Sequence, residues 1–228
     1  MSISDRNFFE GKDFGNSPFK ALIPKYYPLA YQKYISEETK LLKQKLAGTN
    51  NILEAGVGIG RLISEIAPLV KNFVGIDNAT LMLNEANSIA KEYTNVKIIH
   101  GNIEELNELF PRKYFDYSLC VWNTLGNVDD EIVVLKSLGN VTKGSIFITT
   151  YLKGTIEQRE NRYQTMGIEI TSIDKDNEIF YSKSGLRSKS YSLQDIKQLA
   201  LAAGLKIVES QTIHNVMLWV ELKSLEKN

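Results

Sequence analysis

Between Asn51 and Tyr151 the chain alternates short apolar, β-branched runs with longer segments of helical period, and this alternation constrains its fold more than any other feature. Strands are expected at Asn51–Ala55, Asn72–Ile76, Val96–His100, Phe115–Trp122 and Gly144–Tyr151. Helices are expected at Gly60–Leu69, Thr80–Tyr93, Ile103–Phe110 and Asp129–Leu138. Repeated strand–helix–strand units need right-handed crossovers, so these strands form a parallel sheet with helices on both faces. The pattern then changes. Residues 154–190 are polar, and Met166–Ile173 and Glu178–Lys183 flank the turn-like Asp174-Lys175-Asp176-Asn177, which predicts an inserted β-hairpin. A last helix follows at Leu193–Ala203, stopped by Gly204. Two strands, Leu205–Thr212 and Val216–Leu222, are joined through His214-Asn215. So short a link makes that pair antiparallel and the sheet mixed.

Ahead of this region, Gly11, Gly15, Pro18 and Pro24 interrupt any period over residues 1–24, an irregular leader. A helix is expected from Leu29 to Ala47, stopped by Gly48. The chain divides at that glycine into a leader with a helical lid (1–48) and one α/β domain (49–228) carrying the insertion. The 228 residues, 43% hydrophobic and 24% charged, exclude a wholly disordered chain. With 27 Lys and Arg against 27 Asp and Glu the net charge is zero. This argues against nucleic acid or an anionic membrane as partner, since both require a positive field. The one cysteine, Cys120, cannot form an internal disulfide, and it reads as a small buried apolar residue. No run approaches 18 apolar residues, and the start of the chain lacks a signal-peptide pattern, so the expected address is cytoplasmic.

The junction of the first strand and helix reads Ile52-Leu53-Glu54-Ala55-Gly56-Val57-Gly58-Ile59-Gly60-Arg61-Leu62. Open α/β sheets bind ligands at this junction, and three alternate glycines let the backbone turn tightly against one. A dinucleotide fingerprint would need its third glycine where Arg61 stands, and the Glu54 carboxylate would repel a pyrophosphate. The loop therefore suits a ligand that carries a positive group and no phosphates. Asp77 closes the second strand, where a carboxylate can accept hydrogen bonds from both hydroxyls of a ribose.

Taken with Val74-Gly75-Ile76-Asp77, His100-Gly101-Asn102-Ile103 and Phe115-Asp116, this loop resembles that of the class I S-adenosylmethionine-dependent methyltransferases. The resemblance implies a Rossmann-like α/β fold with a seven-stranded sheet in the order 3-2-1-4-5-7-6. It also implies S-adenosyl-L-methionine as cofactor, with S-adenosyl-L-homocysteine as product. By the same resemblance Gly56, Gly58 and Gly60 would lie under its methionine and ribose portions and Glu54 near its ammonium group. Asp77 and Asn78 would lie at the ribose. Asn102 and Ile103 would face the adenine, with Met82 and Ile103 sandwiching the ring and Val121 closing the site. Asn102 departs from the aspartate usual there, but an amide oxygen still accepts a hydrogen bond. Asp116, at the far end of its strand, reads as structural.

The acceptor should lie beyond the fourth strand, at Cys120-Val121-Trp122-Asn123-Thr124. The Asn/Asp-Pro-Pro-aromatic signature of base-methylating enzymes is missing there. The stretch Trp122 to Asn127 resembles loops of small-molecule N- and O-methyltransferases, with Asn123 and Asn127 able to orient a polar acceptor. Tyr27, Tyr31 and Tyr34 fall on one face of the first helix and, with Tyr26, are expected to form a lid over the cofactor pocket. Tyr31, Tyr151, Arg159, Arg162 and Tyr163 are further candidate substrate contacts. His100 reads as structural and His214 as an exposed turn residue. No metal-ligand spacing and no catalytic triad are legible. The reading is an enzyme that methylates oxygen or nitrogen of a small metabolite. A protein or RNA methyltransferase docking through Lys183, Arg187 and Lys189 is the alternative. A nicotinamide-dependent oxidoreductase and a non-catalytic cofactor-binding protein are the readings from other classes.

Overall fold

The computed structural model describes residues 8–10 and 24–225, so the leader glycines Gly11 and Gly15 and Pro18 lie outside the described residues. The chain forms α1 (Leu29–Leu46), β1 (Asn51–Ala55), α2 (Ile63–Ile66), β2 (Asn72–Asp77), α3 (Thr80–Ala90), β3 (Val96–His100), α4 (Leu106–Leu109) and β4 (Tyr117–Cys120). There follow α5 (Thr124–Asn127), α6 (Glu131–Val141), β5 (Ser145–Leu152), α7 (Ile156–Thr165), β6 (Ile170–Asp174), β7 (Ile179–Ser182), β8 (Arg187–Tyr191), α8 (Leu193–Ala202), β9 (Leu205–Ile213) and β10 (Met217–Ser224). No helix among the described residues is long and apolar enough to cross a membrane.

The strands lie in the order β3-β2-β1-β4-β5, and β10 follows antiparallel on β5, with β9 outside it. In strand sequence this is the expected seven-stranded mixed sheet. The closing β9–β10 turn falls at His214-Asn215-Val216, with positive φ at His214 and Asn215 (51° and 56°) and Ile213 paired opposite Met217. Alternation along β1 sends Ile52 and Glu54 to one face and Leu53 and Ala55 to the other. On the first face Leu42, Leu46, Ile63, Ile66 and Leu83 from α1, α2 and α3 pack around Phe73, Phe147 and Trp219. On the second, Leu106, Val134, Leu138 and Ile196 from α4, α6 and α8 pack around Ile146, Ile148 and Val220. Each fully buried large apolar side chain contributes about 1.5–3 kcal/mol, so these two layers fix the register of the sheet.

Residues 154–190 depart from the expected hairpin. They form the helix α7 and a three-stranded antiparallel meander, β6-β7-β8. The start of β8 pairs with β7, and its end runs parallel to β5, with Ser190 and Tyr191 opposite Tyr151 and Leu152. β10 already occupies one edge of β5 as far as Tyr151, so β8 takes the edge that β4 vacates after Cys120. The insertion is thereby hydrogen-bonded into the main sheet directly above the carboxyl end of β4. A small apolar cluster of Phe8, Tyr163, Ile168, Phe180 and Leu186 ties it to the N-terminal segment.

Candidate functional site

A cavity of about 220 Å³ opens at the carboxyl ends of β1, β2 and β4. Gly56 and Gly58 (φ +80° and +53°) turn the chain out of β1, and Gly58 N donates 2.8 Å to Asp77 Oδ2. Only a glycine relieves the close approach at position 56, where a Cβ would stand 2.5 Å from the Thr124 side chain. Of the sequence-predicted set, Glu54, Gly56, Gly58, Asp77, Asn78, Met82, Asn102, Ile103 and Val121 all line this cavity. Gly60 does not. Its open side faces α3, where an added Cβ would meet Ala86 Cα at 3.1 Å, so it serves helix packing. Because φ there is +82° as well, Gly60→Ala is expected to lower stability by about 1–3 kcal/mol. S-adenosylhomocysteine titration of the folded variant should be unchanged.

The loop is followed by turns and only a four-residue α2, so the helix expected from Gly60 begins at Ile63. Glu54 is 3% exposed, and its Oε2 has no hydrogen-bond partner. Burial pushes its carboxyl from the ordinary 4.5 up to about 8, with Arg61 pulling the other way and Glu38 and Asp77 adding to the rise. Asp77 is also raised by burial, opposed by the backbone N–H donors of Ala79 and Gly58. Asn102 caps the turn at Ile103, its Oδ1 accepting from Glu104 N (3.2 Å) and its Nδ2 donating to Glu104 Oε2 (3.1 Å). Asp116 accepts from Asn50 N and Asn51 N at 3.1 and 2.9 Å, a structural role.

The tyrosine stripe does not form the expected lid. Tyr27, Tyr31 and Tyr34 are core residues, and none lines the cavity; Tyr26 is exposed. Tyr27 and Tyr34 instead stack on Trp122 with ring centroids 5.2 and 5.3 Å away, and Tyr31 meets it edge-on at 6.3 Å. Tyr27 stands just ahead of α1 and Tyr34 within it, and together they sandwich the indole. This sandwich holds Trp122 (φ 56°) and the following Asn123 (φ 62°) in left-handed conformations, which large side chains rarely adopt. Asn123 is buried away from the main cavity, accepting from Tyr151 N (3.0 Å) and donating to Ser188 Oγ (3.2 Å). Beneath the stripe, the carboxylate of Glu38 accepts from Tyr34 and Arg61, and from Thr149 Oγ1 at 2.7 Å.

Sequence reasoning missed Phe8 and Phe9, which line the cavity and whose neighbour Glu10 accepts from Thr80 N (2.7 Å) at the start of α3. Two adjacent aromatics in a polar leader were the available signal. It also passed over Arg61 as a contributor to the cavity wall. The cap of α6 is Asp130, which accepts from Ile132 N and Val133 N, while Asn127 lines the cavity. Cys120 is fully buried, and burial pushes its thiol up to about 12, which leaves it unreactive.

Residues 52–144 match the family model described as a methyltransferase domain. A 69-residue segment is 38% identical to a demethylmenaquinone methyltransferase of Bacillus licheniformis; it spans 30% of this chain and only 28% of that relative. Among solved structures, the PH0226 protein of Pyrococcus horikoshii is 19% identical with a TM-score of 0.70, over 92% of this chain and 100% of that one. The 1,6-didemethyltoxoflavin-N1-methyltransferase of Burkholderia thailandensis, solved with 1,6-didemethyltoxoflavin and S-adenosylhomocysteine, is 14% identical. Its TM-score is 0.63, over 84% of this chain and 78% of that one. The family match begins one residue into β1 and ends just before β5, so it contains the glycine loop, Glu54, Asp77 and Asn102. Residues 52–144 thus match a methyltransferase domain, set in a fold that the chain shares with these solved structures.

Proposed function

We propose that the protein transfers a methyl group from S-adenosyl-L-methionine to an oxygen or nitrogen atom of a small metabolite. One observation carries the reading: a buried carboxylate oxygen, Glu54 Oε2, lines the cavity beside the glycine loop with no partner of its own. Burying a charge without a partner is costly, so the site calls for a cation there. The ammonium of the cofactor's methionine portion meets that requirement, Gly56 and Gly58 leave its path clear, and Asp77 can accept from the ribose hydroxyls. Asn78, Met82, Asn102, Ile103 and Val121 complete the proposed cofactor wall. When bound, the cofactor supplies a methyl group already activated by a sulfonium. The protein's own residues then have only to hold an acceptor in line and keep water out, and alignment alone can supply most of the acceleration. Phe8, Phe9 and Trp122 form apolar walls suited to both tasks.

The Burkholderia neighbour, solved with a small molecule and S-adenosylhomocysteine, supports a small acceptor. The test is calorimetric titration with S-adenosylhomocysteine and, separately, with NADH. Binding of the first and not the second is expected, and the reverse would replace this reading with an oxidoreductase. Asp77→Ala should weaken S-adenosylhomocysteine by about 10–100-fold, the loss of one or two charge-assisted hydrogen bonds. Undiminished affinity would remove Asp77 from the site.

A further inference from the structure

A second, smaller cavity adjoins the first and shares Phe8, Phe9, Trp122, Asn127 and Leu186 with it as common walls. Its remaining lining comes mostly from the insertion, and its charged member is Arg162, on α7. Arg162 is 4% exposed, and among the described residues its Nε has no hydrogen-bond partner and no carboxylate pairs with it. Its guanidinium is held among aromatic rings instead, 4.8 Å from the Tyr27 centroid, 5.1 Å from Trp122, and 5.7 Å from both Tyr151 and Tyr163.

One turn back on α7, Arg159 is fully buried behind the cavity wall, between the rings of Tyr151 (4.8 Å) and Phe180 (4.3 Å). Its donors reach the carbonyl oxygens of Glu178 at 2.9 Å and Ser188 at 2.5 Å and Ser188 Oγ at 3.2 Å, and no carboxylate among the described residues pairs with it. The nearby Glu178 carboxylate is turned to Gly154 N and Ser190 Oγ. Two buried guanidiniums therefore face this cavity or lie behind it with no anion among the described residues to balance them. Ring faces offset only part of the cost of burying such a charge, and a carboxylate would offset much more.

We propose that Arg162 receives an anionic group of the methyl acceptor, so that the substrate is a small carboxylic acid or a compound with an equivalent planar anion. Calling this ligand the acceptor rests on the methyltransferase reading; the anion site itself does not. The two ends of the joined cavities differ in chemistry: the carboxyl groups of Glu54 and Asp77 stand at the glycine loop, and Arg162 stands at the insertion. A substrate held at Arg162 by its anion has one favoured orientation, with its body along the shared aromatic walls. Arg162 is on this account a binding and orienting residue, not a proton acceptor.

The test titrates the full chain with benzoate and, in parallel, with its neutral isostere benzamide, with and without saturating S-adenosylhomocysteine. Benzoate is expected to bind at least about tenfold more tightly than benzamide. Arg162→Met should abolish that difference while leaving S-adenosylhomocysteine affinity unchanged. Should that variant fail to fold, Met166→Trp, which fills the second cavity from its rim, provides the same reading by excluding both compounds from a folded protein. Equal binding of benzoate and benzamide by the unaltered protein, or a preference that survives both variants, overturns the inference. Failure of S-adenosylhomocysteine to bind while benzoate still prefers Arg162 overturns the cofactor reading alone.

Discussion

Replacing Glu38 with alanine is expected to destabilise the protein by about 3–5 kcal/mol, the range for removing one partner of a buried ion pair. Glu38 is fully buried at the centre of α1, and its carboxylate is shared by the Arg61 guanidinium and the hydroxyls of Tyr34 and Thr149. Alanine would leave all three without their common acceptor and Arg61 with a largely buried charge. The damage should extend to the cavity. Thr149 Oγ1 also accepts from Trp122 N at 2.8 Å, and Arg61 lines the cavity itself. For a chain of this size such a loss lowers Tm by roughly 10 °C, and thermal unfolding checks it directly. Glu38→Gln keeps an acceptor and removes the charge, so its loss should fall between the alanine variant and the unaltered protein. A loss below about 1 kcal/mol for Glu38→Ala would show that the network adds little.

Glu54→Gln should act oppositely on stability and on affinity. The carboxyl titrates near 8 in the folded protein and near its ordinary 4.5 when unfolded. Between those values the native state holds the extra proton, so this group's contribution is full below pH 4.5 and is lost as the pH rises toward 8. Glutamine does not titrate. The variant should therefore match the unaltered protein in Tm at pH 5 and exceed it at pH 8.5, by an amount on the order of a few kcal/mol. S-adenosylhomocysteine affinity should fall by about 100-fold, because a neutral amide replaces the carboxylate proposed to hold its ammonium. At pH 7 binding to the unaltered protein should release close to one proton, read from the dependence of the calorimetric heat on buffer ionisation enthalpy. The variant should release none. A Tm difference that is flat with pH would show that Glu54 is charged throughout.

The strands β1 to β5 and the positions of Glu54 and Asp77 were legible in the sequence because both follow from local pattern. Apolar β-branched runs announce the strands, and the ligand end of a parallel sheet is fixed by chain direction. The insertion was not legible, for a reason visible in its residues. The buried face of α7 is made by Arg159, Arg162 and Tyr163, which carry no apolar period. In β8 the inward positions are Ser188 and Ser190, satisfied by hydroxyl hydrogen bonds to Tyr163 and Glu178. The tyrosine stripe of α1 was correctly seen as one face, yet its partner, Trp122, lies far along the chain and only tertiary packing brings them together. Asn123 is of the same kind, since its bonds to Tyr151 and Ser188 become visible only once β5 and β8 are adjacent.

The attachment of β8 to the final two residues of β5 has a practical consequence for redesign. Main-chain pairing with β5 and side-chain bonds to Asn123 and Arg159 together hold that added sheet, and the residues that face the smaller cavity from the α7 side, Arg162 and Met166, take no part in the ladder. Exchanging side chains at Arg162 and Met166 should thus alter which compounds the protein accepts while the glycine turn and its carboxylates stay where they are. Selectivity becomes a replaceable cartridge clipped to a fixed engine.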